Sequence, residues 1–175
     1  MMQRIKTKDL SSKIVMTSIV ASLYASLTVV LGSLGYSWIQ IRLSESLTPL
    51  PFLFGLPAVA GLTLGCIIAN MFSPVGLPDI VFGPLLTLLA ALLSWKVSGG
   101  KKTIACLYPV LINAVGVSVY VASFYNVPYA LSLLSIAFGE FVATGLIGYP
   151  LLGALERIIH KRALGTTMRA IEVKK

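Results

Sequence analysis

Long apolar runs separated by short polar stretches divide the chain. They cover roughly residues 14–34, 47–72, 79–95, 103–123 and 130–157. A helix needs about 20 consecutive apolar residues to cross the hydrocarbon core of a bilayer. The spacing of the runs therefore predicts an all-α membrane protein built as a bundle of transmembrane helices.

The run over 47–72 is ambiguous, because it could form one long helix or two short ones. Gly55-Leu56-Pro57 lies in its middle. Proline lacks a backbone donor and disfavours helix in the residue before it, so local chemistry favours a break there. The first of the two helices, near 45–55, is too short to cross alone as a straight rod. We expect it to be partly re-entrant and sheltered by its neighbours.

The distribution of basic residues gives an independent test of that break. Apart from Arg42, all Lys and Arg residues fall in 1–13, 96–102 or 157–175. These clusters share one side of the membrane only if 47–72 crosses twice. Since Lys and Arg concentrate in cytoplasmic loops, the pattern predicts six transmembrane helices, a short second helix, and both termini in the cytoplasm. The segment 161–175 becomes a basic cytoplasmic tail behind a membrane domain at 1–160.

Composition and motifs exclude several classes of function. Hydrophobic residues make up 57% of the chain and charged residues 11%, against about 25% charged in soluble domains. The basic residues flank apolar runs and form no stripe with aromatics, which argues against nucleic-acid binding. Known hydrolase, nucleotide-binding and metal motifs are absent, and Cys66 and Cys106 have no partners at metal-ligand spacing. We therefore predict a protein that is not an enzyme and has neither metal nor cofactor.

Charged residues in or near the predicted outer half of the bundle are the first candidates for a ligand site, since charge at membrane depth is costly and usually functional. They are Arg42, Glu45, Asp79 and Glu140. Arg42 and Glu45 could instead form a local ion pair, and Asp79 could simply cap a helix after Pro78. Glu140 has no cation within four residues, so it is either protonated or paired across the bundle.

Uncharged polar and aromatic residues extend this candidate site. Gln40, Asn70, Asn113 and Trp38 fall near the predicted outer half of the bundle. A carboxylate can accept two parallel hydrogen bonds from an amidine-like pair of N–H groups, and guanine-type rings carry such an edge. The set is therefore suited to a small, planar, polar solute that enters from outside.

Small residues recur four apart in two predicted helices. Gly61 and Gly65 belong to one stripe, and Ala21 and Ala25 to another. Such stripes let helix backbones approach closely in lipid. We expect the glycine stripe to pack inside the bundle, whereas the alanine stripe could either do the same or face a partner protein.

Three segments carry a resemblance to a known family: Gln40-x-Arg42-x-Ser44-Glu45, Gly61-Leu-x-x-Gly65-Cys66-x-x-Ala69-Asn70 and Asp79-Ile-Val-Phe-Gly83. Over about residues 12–160 the chain resembles the QueT family. These are substrate-binding (S) components of energy-coupling factor (ECF) transporters for queuosine precursors. The resemblance implies six helices, micronutrient uptake in a prokaryotic cell membrane, and a deazaguanine base as ligand.

The resemblance also implies protein partners. S components dock with a transmembrane coupling protein and two cytoplasmic ATPases, and many carry an A-x-x-x-A stretch in the first helix for that purpose. Ala21-Ser-Leu-Tyr-Ala25 matches it, which favours Ala21 and Ala25 as a docking face. Two alternatives stay open: an S component for another vitamin, and an autonomous proton-coupled carrier that uses Glu140.

Overall fold

A computed structural model describes residues 9–32, 36 and 41–172, with side chains up to residue 161. Within these ranges the chain is helical and contains no strand, which confirms the all-α prediction. A 3₁₀ helix at Leu43–Leu47 precedes α2, and a π-helical segment at Phe141–Gly148 joins α6 to α7. The α-helices are α1 (Leu10–Val30), α2 (Pro51–Phe54), α3 (Leu56–Asn70), α4 (Leu77–Lys96), α5 (Lys102–Tyr125), α6 (Tyr129–Glu140) and α7 (Tyr149–Glu172).

Four helical rods within the described ranges are long and apolar enough to cross a membrane. They are α1, α4, α5 and the continuous rod of α6, the π-helical segment and the first part of α7. Helix α3 is also apolar but has only 15 residues. The chain thus has the makeup of a multi-pass membrane protein, while the count of six crossings stays a prediction.

The predicted break in 47–72 is confirmed at Gly55. Helix α2 ends one residue before it and α3 begins one residue after it, and Gly55 itself has a φ of 66°. That left-handed conformation favours glycine. A Cβ at this position would also lie only 3.2 Å from Nε1 of Trp95. The short helical stretch before the break is sheltered, as expected: Glu45, Phe52 and Leu53 are almost completely buried.

The glycine stripe packs inside the bundle, against α1. A Cβ at Gly61 would lie 2.7 Å from the backbone oxygen of Thr17, and one at Gly65 would lie 2.7 Å from that of Ala21. Because residue numbers rise together in both helices, α1 and α3 run parallel. The chain must therefore return along the bundle between them, and the buried 3₁₀ helix and α2 lie on this return path.

Neighbouring helices form a closed ring. Helix α1 packs on α3, α3 on α4, α4 on α5, and α5 on α6 and the π-helical segment. The 3₁₀ helix contacts both α1 and the π-helical segment, which closes the ring. Tyr24, Phe52, Leu62 and Leu152 are fully buried in the core that results.

One end of the bundle, which we call the basic end, holds the basic residues that the structure describes at the start of α1, around the loop between α4 and α5, and in α7. Thr17 donates to the backbone oxygen of Pro57 over 3.0 Å, which sets the start of α3 beside the first half of α1. Lys102 pairs with Glu156 at 2.7 Å, which joins the start of α5 to α7. Gly55, at the break between α2 and α3, lies close to Trp95, which places the end of α4 at this same end of the bundle. The first residues of α1 and the loop between α4 and α5 thus lie at the same end, and the side of the membrane that it faces stays a prediction.

The proposed boundary at residue 160 does not coincide with a helix end. Helix α7 continues through it to Glu172. The division into a membrane domain and a basic tail stays a prediction.

Candidate ligand-binding site

A buried ion pair lies toward the end of the bundle opposite the basic end. Arg42 Nη2 donates to Asp79 Oδ2 over 2.9 Å, and the hydroxyl of Tyr120 donates to Asp79 Oδ1 over 2.8 Å. Asn70 accepts from Arg42 Nη1 at 3.4 Å and donates to the backbone oxygen of Asp79 at 2.7 Å. Arg42 is 8% exposed and Asp79 1%. We call these four residues the Arg42 cluster.

Both local explanations of these charges are wrong. In the part of the chain that the structure describes, Arg42 forms its ion pair with Asp79 and not with Glu45. Asp79 lies inside the first turn of α4, whose N-cap is Gly76, and makes no capping hydrogen bond. The partners of Asp79 are Arg42, which precedes the 3₁₀ helix, and Tyr120 of α5, so the spacing of residues near Asp79 could not identify them.

Tyrosines hold the Arg42 cluster against the helices. The Arg42 guanidinium lies 5.4 Å from the centre of the Tyr36 ring. The Tyr36 hydroxyl donates to the backbone oxygen of Ala69 at 2.5 Å, and Tyr125 donates to the backbone oxygen of Tyr36. A guanidinium over an aromatic face is attracted by the ring quadrupole. These contacts attach Tyr36 to α3 and α5 and place its ring beside Arg42.

Glu45 belongs to a second group of polar residues, deeper in the bundle. Its carboxylate accepts from the Tyr24 hydroxyl through Oε1 and from Thr48 Oγ1 through Oε2, the latter at 2.5 Å. Thr28 Oγ1 donates to Ser44 Oγ nearby over 2.6 Å. Both oxygens of Glu45 are therefore engaged by hydroxyl groups of the protein.

Glu140 and Asn113 form a third group, which we call the Glu140–Asn113 pair. Asn113 Nδ2 on α5 donates to Glu140 Oε1 at the end of α6 over 2.8 Å. Glu140 is 7% exposed and Asn113 3%. Glu140 Oε2, Asn113 Oδ1 and the hydroxyl of Ser132 have no hydrogen-bond partner among the described residues. Glu140 is thus paired across the bundle, but with a neutral amide.

The π-helical segment sets the position of Glu140. Glu140 is the last residue before it, and Thr144 Oγ1 donates back to the Glu140 backbone oxygen over 2.7 Å. A Cβ at Gly148 would lie 2.8 Å from the backbone oxygen of Ser46, so the segment packs closely on the 3₁₀ helix that carries Glu45. π-Helical turns often occur at functional sites. Arg42 and Glu45 are near enough to act on Glu140 electrostatically.

Comparison with known proteins assigns the chain to a family. A family model described as QueT transporter matches residues 14–157. The chain belongs to the QueT transporter family. The matched range includes all three polar groups, and membership confirms the resemblance found in the sequence and indicates a membrane transporter rather than an enzyme. No curated protein and no solved structure matches the chain.

The predicted site residues of this QueT-family protein fall into separate groups. Arg42, Asn70 and Asp79 share one cluster, Glu140 and Asn113 form another, and Glu45 lies apart with Tyr24. Gln40 and Trp38 lie outside the described residues. Ligand contact by any of them stays a prediction.

Sequence reasoning left the partner hydroxyls out of the predicted site. Tyr120 lies two turns after Asn113 in α5, and that spacing puts both on one helix face. Tyr24 and Thr48 carry no comparable signal, since a tyrosine or threonine in an apolar run usually serves packing alone.

The two alanines predicted to dock a partner differ in their surroundings. Ala21 is buried against Gly65 of α3, so this half of the pair lies inside the bundle. Ala25 is half-buried, whereas Ser18, Ser22 and Ser26 are exposed. Ala21 thus serves internal packing, and docking through Ala25 stays a prediction.

Proposed function

We propose that this QueT-family protein is the substrate-binding (S) component of an ECF-type importer in a prokaryotic cell membrane. Its substrate is a queuosine precursor with a deazaguanine base. The family match over residues 14–157 is the observation that carries the proposal. The sequence has no phosphate-binding loop of its own, which agrees with energy supplied by two partner ATPases through a coupling protein.

The arrangement of the helices supports a path across the membrane. Basic residues gather at one end of the bundle, and the positive-inside rule assigns that end to the cytoplasm. The parallel course of α1 and α3 requires a return segment between them, as six crossings with two cytoplasmic termini would. The solute then enters at the opposite end, where the Arg42 cluster lies, and reaches the carboxyl groups of Glu45 and Glu140 deeper inside.

The coupling protein docks on the exposed side of α1 in this proposal. Ala25 and the exposed Ser22 leave little side-chain volume on that side. Small residues allow a partner helix to pack close to the backbone in lipid. Ala21 contributes indirectly, since it fixes α1 against α3.

Two measurements test the proposal. Mass analysis of protein purified in detergent should reveal a co-purified deazaguanine compound. Vesicles that contain this protein alone should bind the compound without net uptake, and uptake should require the coupling protein, the ATPases and ATP. A different co-purified vitamin would keep the S-component role but reject the substrate.

One observation favours a second candidate function. Glu140 is buried, and its hydrogen-bond partner among the described residues is a neutral amide, a setting that suits a group that gains and loses a proton. An autonomous proton-coupled carrier would take up solute into vesicles under a pH gradient with no other protein present. Such uptake, lost in Glu140→Gln, would replace the ECF proposal.

A further inference from the structure

We propose that Glu140 Oε2 and Asn113 Oδ1 form a two-acceptor site for a ligand edge that carries two adjacent N–H donors. The ring N–H and 2-amino group of a guanine-type base form such an edge. This inference rests on the proposed function and deepens it, because it names the pair of side chains that would select the base.

The interior carboxylates differ in how many of their oxygens already accept a hydrogen bond. Asp79 accepts from Arg42 and Tyr120 with its two oxygens, and Glu45 accepts from Tyr24 and Thr48. Glu140 uses one oxygen for Asn113 and leaves the other unpartnered within the described part of the chain. Glu140 is therefore the interior acid with an oxygen left for a ligand.

The contact with Glu140 sets the orientation of the Asn113 amide group. Its amide group points Nδ2 at Glu140 Oε1, so its oxygen is the atom left unpartnered. Both side chains are more than nine-tenths buried. Buried polar atoms without partners are rare in folded proteins. Two such acceptors on side chains that touch each other indicate a site completed by an external donor.

The two acceptors define the kind of donor that would complete the site. Two oxygen acceptors on adjacent groups match two N–H groups in one plane, and a carboxylate that binds in its ionised form strengthens its hydrogen bond by charge assistance. A site built to bond a ligand N–H discriminates against an analogue without it, because the protein acceptor is then left unpaired. The 2-amino group should therefore decide affinity.

The test uses 7-deazaguanine and its analogue that lacks the 2-amino group, 7-deazahypoxanthine. Isothermal titration of the wild-type protein in detergent should give at least tenfold tighter binding of 7-deazaguanine, a difference of about 1.4 kcal/mol. Glu140→Gln should weaken the binding of 7-deazaguanine more than tenfold. The variant should then bind 7-deazaguanine and 7-deazahypoxanthine with nearly equal affinity. Glu156→Gln, at the basic end, is the matched control and should retain the wild-type preference.

The outcomes separate this inference from the proposed function. Equal binding of both compounds to the wild type overturns the two-acceptor site and leaves the proposed function standing. Full preference in a folded Glu140→Gln variant also overturns the site. Binding of neither compound rejects the deazaguanine substrate and the inference with it, and leaves the S-component role to the uptake measurement. The wild-type comparison decides even if the Glu140 variant does not fold.

Discussion

The buried ion pair between Arg42 and Asp79 allows a quantitative test of what holds together the end of the bundle opposite the basic end. Replacing Asp79 with Ala removes the acceptor of both Arg42 and Tyr120, which lie 2.9 and 2.8 Å from it. Arg42 is 8% exposed and cannot regain full hydration where it lies. Removal of one partner from a buried pair typically costs about 3–5 kcal/mol. We expect Asp79→Ala to lose stability in that range.

Removal of both charges should cost much less. A double variant with Arg42→Met and Asp79→Leu buries no cation that has lost its carboxylate, and apolar replacement of a buried pair is often neutral or stabilising. The double variant should therefore be more stable than Asp79→Ala, even though it carries more changes. This non-additivity separates a stranded charge from a simple loss of packing.

A surface ion pair provides the control. Lys102 and Glu156 lie 2.7 Å apart, but their side chains are 30% and 38% exposed. Exposed pairs contribute about 0–1 kcal/mol, so Glu156→Gln should change stability by no more than that. Unfolding in mixed micelles, followed by circular dichroism as denaturing detergent increases, measures all variants on one scale.

Two results would refute the reasoning. Asp79→Ala as stable as wild type would mean that the remaining contacts of Arg42, or water, compensate for the lost carboxylate. A double variant no more stable than Asp79→Ala would mean that the stability is lost through poorer packing and not through the buried charge. Ligand titration on the folded double variant adds a functional answer: retained affinity assigns the pair a structural role, and lost affinity supports the prediction that both residues bind ligand.

Three further predictions follow from the packing of α1 and from topology. Gly65→Val should destabilise the bundle by about 1–3 kcal/mol or more in the same unfolding assay, because its side chain would press on the α1 backbone; unchanged stability would contradict the close helix contact. Ala21→Trp should destabilise the fold in that assay, whereas Ser22→Trp on the exposed side should preserve ligand binding and abolish ATP-driven uptake; normal uptake in Ser22→Trp would move the docking surface elsewhere. Cysteines at Lys13 and Lys101, in a variant without native thiols, should both resist an impermeant label in intact cells, and labelling of one alone would reject the shared cytoplasmic side.

Much of the architecture could be predicted from local chemistry. The break at Gly55 follows from glycine and proline, whose backbone preferences do not depend on distant residues. The internal role of Gly61 and Gly65 follows from their spacing, since only small side chains let two helices touch. The burial of the short stretch around Glu45 follows from its length, because helix ends in lipid must be covered by protein.

The candidate site was less accessible to sequence reasoning. Spacing along the chain suggested Glu45 for Arg42 and a helix cap for Asp79, and both assignments were wrong. The partner of Arg42 is 37 residues away, and the partner of Glu140 is 27 residues away. No local rule connects residues across such intervals.

The sequence by itself determined that this protein is helical, membrane-embedded and basic at its polar ends, and it carried the motifs of its family. Those properties depend on the transfer free energy of single residues between water and lipid and on spacing within a helix, so they can be predicted from the sequence. Only the tertiary structure decided which acids are already engaged, that Ala21 faces inward, and that Glu140 and Asn113 keep two acceptors without partners among the described residues. Those outcomes depend on which helices become neighbours, since the hydrogen bonds of a buried side chain are set by the distant residues that packing brings within reach.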